Sequence, residues 1–322
     1  MAVVQSQALV KPSYTDTGMI ELTAYKLIEV SGEDALSFLS NLTTSDVKLV
    51  SPTFSQFSAI CDIKGRVLAS FIIFKRAASY YLFLPATMVD TLVRKLRMHI
   101  LRSKVVVSEV NSSLRILGLS GDNSAVLLSQ SLSMPITADA LGQVVPCGDY
   151  TVLLLPGQNQ VRWLVVADDT AISALKEQLD KQVNTMAWDD WCFLDTLSAV
   201  PFITPATAGE YLPQMLNLEP LGGLSFKKGC YPGQEIVARL HYRGKLKRKL
   251  YVAYTEVESL PEPGSPLYGE DSINSIGHVL ASAQGANGQV ALQAVIEIEQ
   301  QSQTDISLVS PTGPKLLFMT ES

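Results

Sequence analysis

Residues 226–250 read FKKGCYPGQEIVARLHYRGKLKRKL, and no other stretch says more about this protein. A lone cysteine, Cys230, stands between two glycines, with two lysines before it and a basic run after it. The stretch holds eight lysines and arginines against one acidic residue, whereas the whole chain carries a formal net charge of −6. This asymmetry predicts an anionic partner here, and the alternative is a solvated basic hairpin that balances acidic neighbours.

The residues around Cys230 favour a reactive thiol. Gly229 and Gly233 allow the backbone to turn tightly and to approach a ligand closely. Gly233 is expected to open a helix over residues 234–240, which would point free N–H groups toward the thiol. Positive charge comes from Lys227, Lys228 and Arg239. Both effects favour thiolate over thiol, and the alternative is a buried, inert cysteine in a glycine-rich turn.

The predicted helix has a first turn that suits its dipole, because Gln234 and Glu235 are polar or acidic. Arg239 follows Glu235 by four residues, so the two side chains are expected to pair. A compatible alternative is that both residues hold the shape of the loop around Cys230.

The chain has 322 residues, of which 47% are hydrophobic and 17% charged, which fits two or three domains. No apolar run reaches the ~18 residues of a membrane span, and the start lacks the pattern of a signal peptide. The four cysteines form no C-x-x-C pair, and the three histidines show no metal-ligand spacing. We therefore expect a cytoplasmic protein without a disulfide framework or a tightly bound metal.

The apolar periodicity predicts an α+β protein. Strands are expected over 23–30, 56–61, 66–74, 79–84 and 104–110, with helices over 34–41 (after a capping box at 31–34) and 87–101. A second, similar unit is expected from strands at 114–120, 151–155 and 161–167 and helices at 122–132 and 168–183. Another helix starts at Trp188 and a long proline-rich stretch follows. From about Lys245 onward, the sequence predicts a small all-β domain.

The run KKGCYPGQEIVAR, with PQMLNLEPLGGLSF before it and HYRGKLKR after it, resembles the signature of the YgfZ-type folate-binding proteins. These proteins are relatives of the aminomethyltransferase, or T-protein, of the glycine cleavage system. VSGEDALSFLSNLTTSDV (30–47) and CDIKGRVLASFIIF (61–74) look like the opening domain of that family. The signature residues are Lys228, Gly229, Cys230, Tyr231, Gly233, Gln234 and Glu235.

The resemblance implies a three-domain cloverleaf with two ferredoxin-like α+β units and a C-terminal β-barrel. Its expected domains are 20–110 with 186–244, then 111–185, then 245–322. The resemblance also implies a tetrahydrofolate-type ligand and a role in assembling or repairing iron–sulfur clusters. The expected protein partners are iron–sulfur client enzymes or assembly proteins, which would link this protein indirectly to tRNA thiolation.

The resemblance suggests Trp191 and Tyr25 as aromatic residues of the folate pocket, and ordinary core packing is the alternative for both. Relatives often carry a glutamate where this chain has Leu197, and Asp195 is expected to face elsewhere on the helix. Leu197 therefore weakens the expected pterin contact.

The aminomethyltransferase branch carries paired aspartates on the hairpin, where this chain has Ala69 and Ser70. Neither residue can act as a carboxylate base, so we predict that the protein is not an aminomethyltransferase. A one-carbon transferase that uses other residues stays an alternative function.

The basic residues Lys227, Arg243 and Lys245 are predicted to bind an anion, either a polyglutamylated folate tail or RNA. The only aromatic residues found among these cations are Tyr231, Tyr242 and Tyr251, which do not form an interleaved array, so base stacking is not indicated. We favour a small anionic ligand or a client protein, and a direct tRNA-binding module is the second alternative.

Overall fold

The computed structural model describes residues 17–110, 114–157, 160–270, 272–301 and 305–319. The segment 1–16, predicted not to be a signal peptide, lies outside these residues, as does the predicted end of the last domain at 322. The predicted domain boundary at 110 and 111 falls at the edge of a described range.

The first sheet has five strands in the order β3-β4-β5-β2-β6. Its strands are β2 (Tyr25–Ser31), β3 (Gln56–Cys61), β4 (Val67–Arg76), β5 (Ser79–Pro85) and β6 (Val106–Glu109). The two helices of this unit are α1 (Ala35–Ser40) and α2 (Val89–Arg97). The predicted hairpin is confirmed as β3 and β4, and nearly all of β4 is buried because it lies inside the sheet.

The second sheet has six strands in the order β11-β1-β7-β10-β9-β8. Its strands are β1 (Gly18–Glu21), β7 (Arg115–Ser120), β8 (Val144–Cys147), β9 (Tyr150–Leu154), β10 (Arg162–Ala167) and β11 (Asn184–Thr185). Its helices are α3 (Ser124–Leu132) and α4 (Asp169–Leu179). The Asp168 side chain caps α4 by accepting a hydrogen bond from the Ala171 N–H, 2.8 Å away.

The two sheets repeat one β-α-β-β-β-α-β pattern with the same order of strands. The first unit runs β2-α1-β3-β4-β5-α2-β6, and the second runs β7-α3-β8-β9-β10-α4-β11. Strand β1 is inserted between the first and last strands of the second unit. The expectation of two similar α+β units is confirmed, although their sequences show no repeat.

The third sheet forms the predicted C-terminal barrel. Its strands are β12 (Arg248–Thr255), β13 (Pro266–Gly269), β14 (Gly277–Gln284), β15 (Val290–Glu297), β16 (Ile306–Leu308) and β17 (Leu317–Phe318). The short helix α7 (Ile298–Gln301) follows β15. The segment 314–318 closes the sheet, because the Leu316 N–H donates to the Ile306 carbonyl at one edge while Leu317 pairs with Tyr254 at the other.

Helix α5 (Trp188–Leu197) links the barrel to the α+β units. The buried Gln293 amide of β15 donates hydrogen bonds to the carbonyls of Asp195, Thr196 and Val200, at 3.1–3.3 Å. These bonds satisfy carbonyls at and just beyond the end of the helix. Helix α6 (Gln234–Arg243) begins directly after Gly233, so the helix predicted at 234–240 is confirmed and runs slightly longer.

Two details of the helices differ from the prediction. The capping box at 31–34 is wrong, because Ser31 is the last residue of β2 and the Asp34 carboxylate instead accepts the Lys104 N–H, 2.7 Å away. Helix α2 ends at Arg97, four residues before the predicted end. The division into three domains stays a prediction, with β1 hydrogen-bonded into the second sheet.

Candidate functional site

The segment 227–233, here called the Cys loop, is fastened to the first sheet unit by Lys228. The Lys228 ammonium donates hydrogen bonds to the backbone carbonyls of Thr43 and Ser45, the latter 2.8 Å away. It also lies 5.3 Å from the centre of the Tyr231 ring. Burial lowers the pKa of Lys228 to about 8, and Asp46 opposes that shift. Lys228 thus holds the loop in place and is not a freely exposed cation.

A pair of glycines fastens the other end of the Cys loop. Gly233 has a φ of +79°, and a Cβ added to it would lie 2.4 Å from the Asp62 carbonyl oxygen and from the Gly65 N and Cα. Gly65 has a φ of +77° and faces the Gly233 carbonyl in return. The loop therefore rests directly on the turn at 62–65 that joins β3 to β4, and only glycine fits at Gly233.

The Asp62 side chain stabilises this turn. Its carboxylate accepts the Lys64 N–H at 2.8 Å and the Arg66 N–H at 2.9 Å. The Arg66 guanidinium reaches outward and donates to the Glu210 carbonyl oxygen. A short-range carboxylate cap of this kind is typical of tight turns, and it makes the support under the Cys loop stiff.

Cys230 itself is exposed, so the alternative of a buried cysteine is wrong, and the reactivity of this thiol stays a prediction. Burial raises the pKa values of two other thiols, that of Cys192 to about 12 and that of Cys61 further. Both groups stay protonated at neutral pH. Cys147 is partly exposed, and its thiol lies 3.6 Å from the Leu132 carbonyl oxygen. Cys230 is the most accessible of the four.

Two neighbours of Cys230 differ from expectation. Gly229 is not in the left-handed region, and an added Cβ would meet no protein atom within 4 Å, so the fold of the loop does not require a glycine there, and the close approach of Gly229 to a ligand stays a prediction. Glu235 and Arg239 are both exposed and form no ion pair within the described part of the chain. The shape of the loop depends on Lys228 and Gly233.

Tyr231 turns inward beside the exposed thiol. Its side chain is 6% exposed, and its hydroxyl has no hydrogen-bond partner among the described residues. Burial, and then the nearby Cys61, raise the pKa of this phenol. Tyr231 therefore anchors the loop through its ring and not through its hydroxyl.

A cavity of about 740 Å³ adjoins the turn at 62–65. It is lined by that turn, the loop at 206–215, helix α6 and the barrel. The charged and titratable side chains in its wall are Lys64, Arg66, Glu210, Tyr211, Arg248 and His278. Burial, followed by the nearby Arg248, lowers the pKa of His278, so the imidazole is neutral at pH 7. The cations outnumber the acids, which suits an anionic ligand of moderate size.

The two predicted folate-pocket aromatics are enclosed. Trp191 is 1% exposed, with the Arg162 guanidinium carbon 5.2 Å from the centre of its ring and Gly118 against its edge. Tyr25 stacks on Phe83 at 4.6 Å between ring centroids. The structure thus gives both residues core packing, and their contact with a ligand stays a prediction.

A buried polar network surrounds these two aromatics. The Asp195 carboxylate accepts the Tyr25 hydroxyl at 2.7 Å and pairs with the Arg162 guanidinium, which is 1% exposed. Burial, and then Asp195, raise the pKa of Tyr25 well above its ordinary value. Leu197 points away and packs with Tyr254 of the barrel. Asp195 thus faces away from Leu197, as expected, but that direction brings its carboxylate next to Tyr25, and its buried partner Arg162 was not indicated by the sequence.

The hairpin strand places Ala69 and Ser70 in the interior. Both are fully buried, and the Ser70 hydroxyl donates to the Pro201 carbonyl at 2.7 Å while it accepts the Ile203 N–H at 2.9 Å. Ser70 thus fastens the segment 201–203 across this face of the sheet.

Some cations of the basic stretch form ion pairs, and others are exposed without one. Lys245 pairs with Glu299 at 2.8 Å, and Arg248 pairs with Glu297 at 3.1 Å. Lys227 and Arg243, the other predicted anion-binding residues, are exposed. Phe226 stacks on His241 at 3.9 Å next to Tyr242, an arrangement that the sequence did not indicate because fifteen positions separate the first two rings.

Within residues 17–319, apart from the short gaps, no group of three or more His, Cys, Asp or Glu side chains is placed to hold a metal ion. In the same part of the chain, no helix has the length and apolarity needed to cross a membrane.

Comparisons with known proteins agree with this architecture. The family profile described as GCVT N-terminal domain matches residues 8–145. The solved structure of the glycine cleavage system aminomethyltransferase T from Bartonella henselae superposes with a TM-score of 0.76 at 17% identity, covering 95% of this chain and 86% of that one. This likeness shows the shared fold.

A curated relative covers nearly the whole chain. The tRNA-modifying protein YgfZ of Colwellia psychrerythraea is 31% identical over 318 residues, which is 94% of this chain and 94% of that protein. The chain therefore belongs to the YgfZ family.

Proposed function

We propose that this protein is a cytoplasmic, folate-binding accessory protein that supports tRNA modification by iron–sulfur enzymes, with Cys230 as its functional thiol. One observation carries the proposal: an exposed thiol stands on a loop whose two ends are fixed, by Lys228 and by Gly233. The relative from Colwellia psychrerythraea is named as tRNA-modifying, which supports the tRNA context.

The fixed loop matters because a thiol that reacts with a partner gains from a defined position. A thiol exposed on a stiff support can attack an electrophile, exchange with a persulfide or bind iron transiently. Each of these reactions needs an accessible sulfur atom, which the buried Cys61 does not offer, and Cys192 is only partly exposed, with a pKa raised to about 12 by burial. A role in assembling or repairing the clusters of client enzymes is consistent with all three.

A folate-type ligand fits the cavity on the turn at 62–65. Its volume of about 740 Å³ lies within the ~300–1,000 Å³ typical of small-molecule sites. Lys64 and Arg66 would face the carboxylates of the ligand, and Ile63 and Ile236 would cover apolar parts. Because the Cys loop rests on the same turn, a ligand here would be coupled to the position of the thiol.

The tRNA role is tested in cells that lack the protein. Thiolated nucleosides in bulk tRNA are measured by mass spectrometry after complementation with the parent, Cys230→Ser or Cys147→Ser. We expect the parent and Cys147→Ser to restore thiolation and Cys230→Ser to fail. Full restoration by Cys230→Ser, also under oxidative stress, would refute the role of this thiol.

The folate site is tested by calorimetric titration of tetrahydrofolate into the purified chain. Lys64→Ala is expected to weaken binding several-fold, whereas Lys48→Ala, another exposed lysine outside the cavity, should bind like the parent. Tryptophan fluorescence tests whether the ligand instead contacts Trp191, the predicted pocket aromatic beside Tyr25. Trp191 is 1% and Trp188 40% exposed, so quenching that persists in Trp188→Phe and disappears in Trp191→Phe would place the ligand on Trp191 and not in the cavity on the turn at 62–65. No binding up to about 1 mM would refute the folate proposal.

The alternative function, a one-carbon transferase, has less support. The hydroxyl of Ser70 is occupied on both sides by the segment 201–203. A serine with this geometry neither accepts a proton from a ligand nor stabilises a developing ammonium.

A further inference from the structure

Two exposed rings on the C-terminal part of α6, His241 and Tyr242, cluster with the partly buried ring of Phe226, which precedes the helix. Phe226 and His241 stack with centroids 3.9 Å apart, and Tyr242 stands edge-on to His241 at 4.8 Å. Tyr242 is 68% exposed, although tyrosine rings are commonly half-buried in monomeric proteins. We call these three residues the aromatic patch.

Free cations surround the aromatic patch. Lys227, Arg239 and Arg243 are exposed, and their side chains have no hydrogen bond or ion pair within the ranges that the structure describes. Two acids belong to the same region: Glu219, whose carboxylate lies 3.8 Å from the His241 ring nitrogen, and Glu235 in the first turn of α6. Positive charge therefore exceeds negative charge at this surface, in a chain that is acidic overall.

We propose that the aromatic patch and its three cations form a docking surface for single-stranded RNA. Every base has a π-face that can stack on an exposed ring, so such a platform accepts bases of any sequence. The cations would contact phosphates on either side of the stacked bases. Stacking requires bases that are not already stacked in a duplex, which selects a single strand or a loop.

An acidic protein segment is the competing occupant, and the rings argue against it. Such a segment would need the cations alone and would gain little from an exposed tyrosine ring. RNA uses both features at once, which is why we favour it. The surface does not include Cys230, so this inference stands or falls separately from the proposed thiol and folate roles.

The test is fluorescence anisotropy of a labelled single-stranded RNA of about twelve nucleotides with the full chain, since such sites span ~4–16 nucleotides. Tyr242→Ala is expected to weaken binding about tenfold, because one base loses its stacking partner. Tyr242→Phe keeps the ring and should bind like the parent. Both variants change an exposed side chain, and a thermal melt checks that each stays folded.

The cations are tested through salt dependence. The slope of log K against log salt concentration is negative, and Arg243→Ala should make it less steep by about 0.7, the contribution of one phosphate contact on a single strand. Lys181→Ala, at an exposed lysine just beyond the C-terminal end of α4, should leave the slope unchanged.

The proposal would be overturned if the parent bound no RNA at about 50 mM salt, where phosphate contacts are strong. Equal RNA affinities of the parent and Tyr242→Ala would also overturn it. A third contrary result would be a poly-glutamate peptide that binds as tightly as RNA and competes with it. The last result would assign the surface to an acidic protein instead.

Discussion

Replacement of Gly233 by alanine tests whether the turn at 62–65 fixes the Cys loop. The added Cβ would lie 2.4 Å from three backbone atoms, namely the Asp62 carbonyl oxygen and the Gly65 N and Cα. Backbone atoms cannot rotate away as the end of a side chain can, so either the loop or the turn must move. The φ of +79° adds a second penalty for any residue with a Cβ.

The size of the effect follows from these two terms. The left-handed conformation costs an L-residue ~1–2 kcal/mol, and overpacking of a close contact costs ~1–3 kcal/mol. We therefore expect the free energy of unfolding to fall by about 2–5 kcal/mol. Gly229→Ala is the matched control, because its Cβ meets nothing within 4 Å, and we expect a change within about 0.5 kcal/mol.

Two assays read the outcome. Urea unfolding gives the free energy, and the rate at which Cys230 reacts with an aromatic disulfide reagent reports the position of the loop. The rate is measured in a Cys147→Ser background, since that thiol is also partly exposed. We expect the Cys230 rate to change in Gly233→Ala and to stay at the parent value in Gly229→Ala. Identical stabilities and rates for the two alanine variants would refute the argument that the glycine contact holds the loop.

Three further predictions concern buried polar groups, and urea unfolding measures each. Burial lowers the pKa of Lys228 from 10.5 to about 8, so between these pH values the unfolded chain binds one proton that the folded chain has lost. The stability of the parent relative to Lys228→Met should therefore rise as the pH rises from 8 to 10.5. A stability difference that stays constant over this range would contradict the prediction. Ser70→Ala leaves the Ile203 N–H without its acceptor and should cost ~1–3 kcal/mol, so a near-zero change would count against the bond. Arg162→Met leaves the partly buried Asp195 without its cation and should cost ~3–5 kcal/mol, whereas unchanged stability would show that the pair is dispensable.

The elements of the fold were readable from the sequence because their signals are local. Alternating or continuous apolar runs predict β3, β4 and β5, and the apolar stripe predicts α2. Strand β1 escaped because it is four residues long and takes its place only by pairing with β7 and β11. A strand that short carries too few side chains for a period to be recognised.

The site was predictable in composition but not in geometry. Cys230 and Lys228 stood out, yet no local pattern indicated that the ammonium reaches the carbonyls of Thr43 and Ser45, which lie 185 and 183 residues away in the sequence. Gly229 and Gly233 look alike in the sequence, and only their φ angles and neighbours separate the required glycine from the replaceable one. Contacts between distant segments decide such cases, and no local pattern records them.

The β3–β4 hairpin suggests how one fold serves a different purpose in this protein. In the aminomethyltransferase branch, the hairpin is expected to present paired carboxylates from its second strand. Here that strand presents Ala69 and Ser70, and the Ser70 hydroxyl is used to hold the segment 201–203. The turn of the same hairpin supports Gly233 and thereby the loop of Cys230. The loop that rests on this turn exposes the Cys230 thiol, so the thiol is accessible to a large partner. A carboxylate pair on the buried strand would not be accessible in this way. The proposed action on other proteins needs this exposure, whereas a transferase that encloses its small substrate does not.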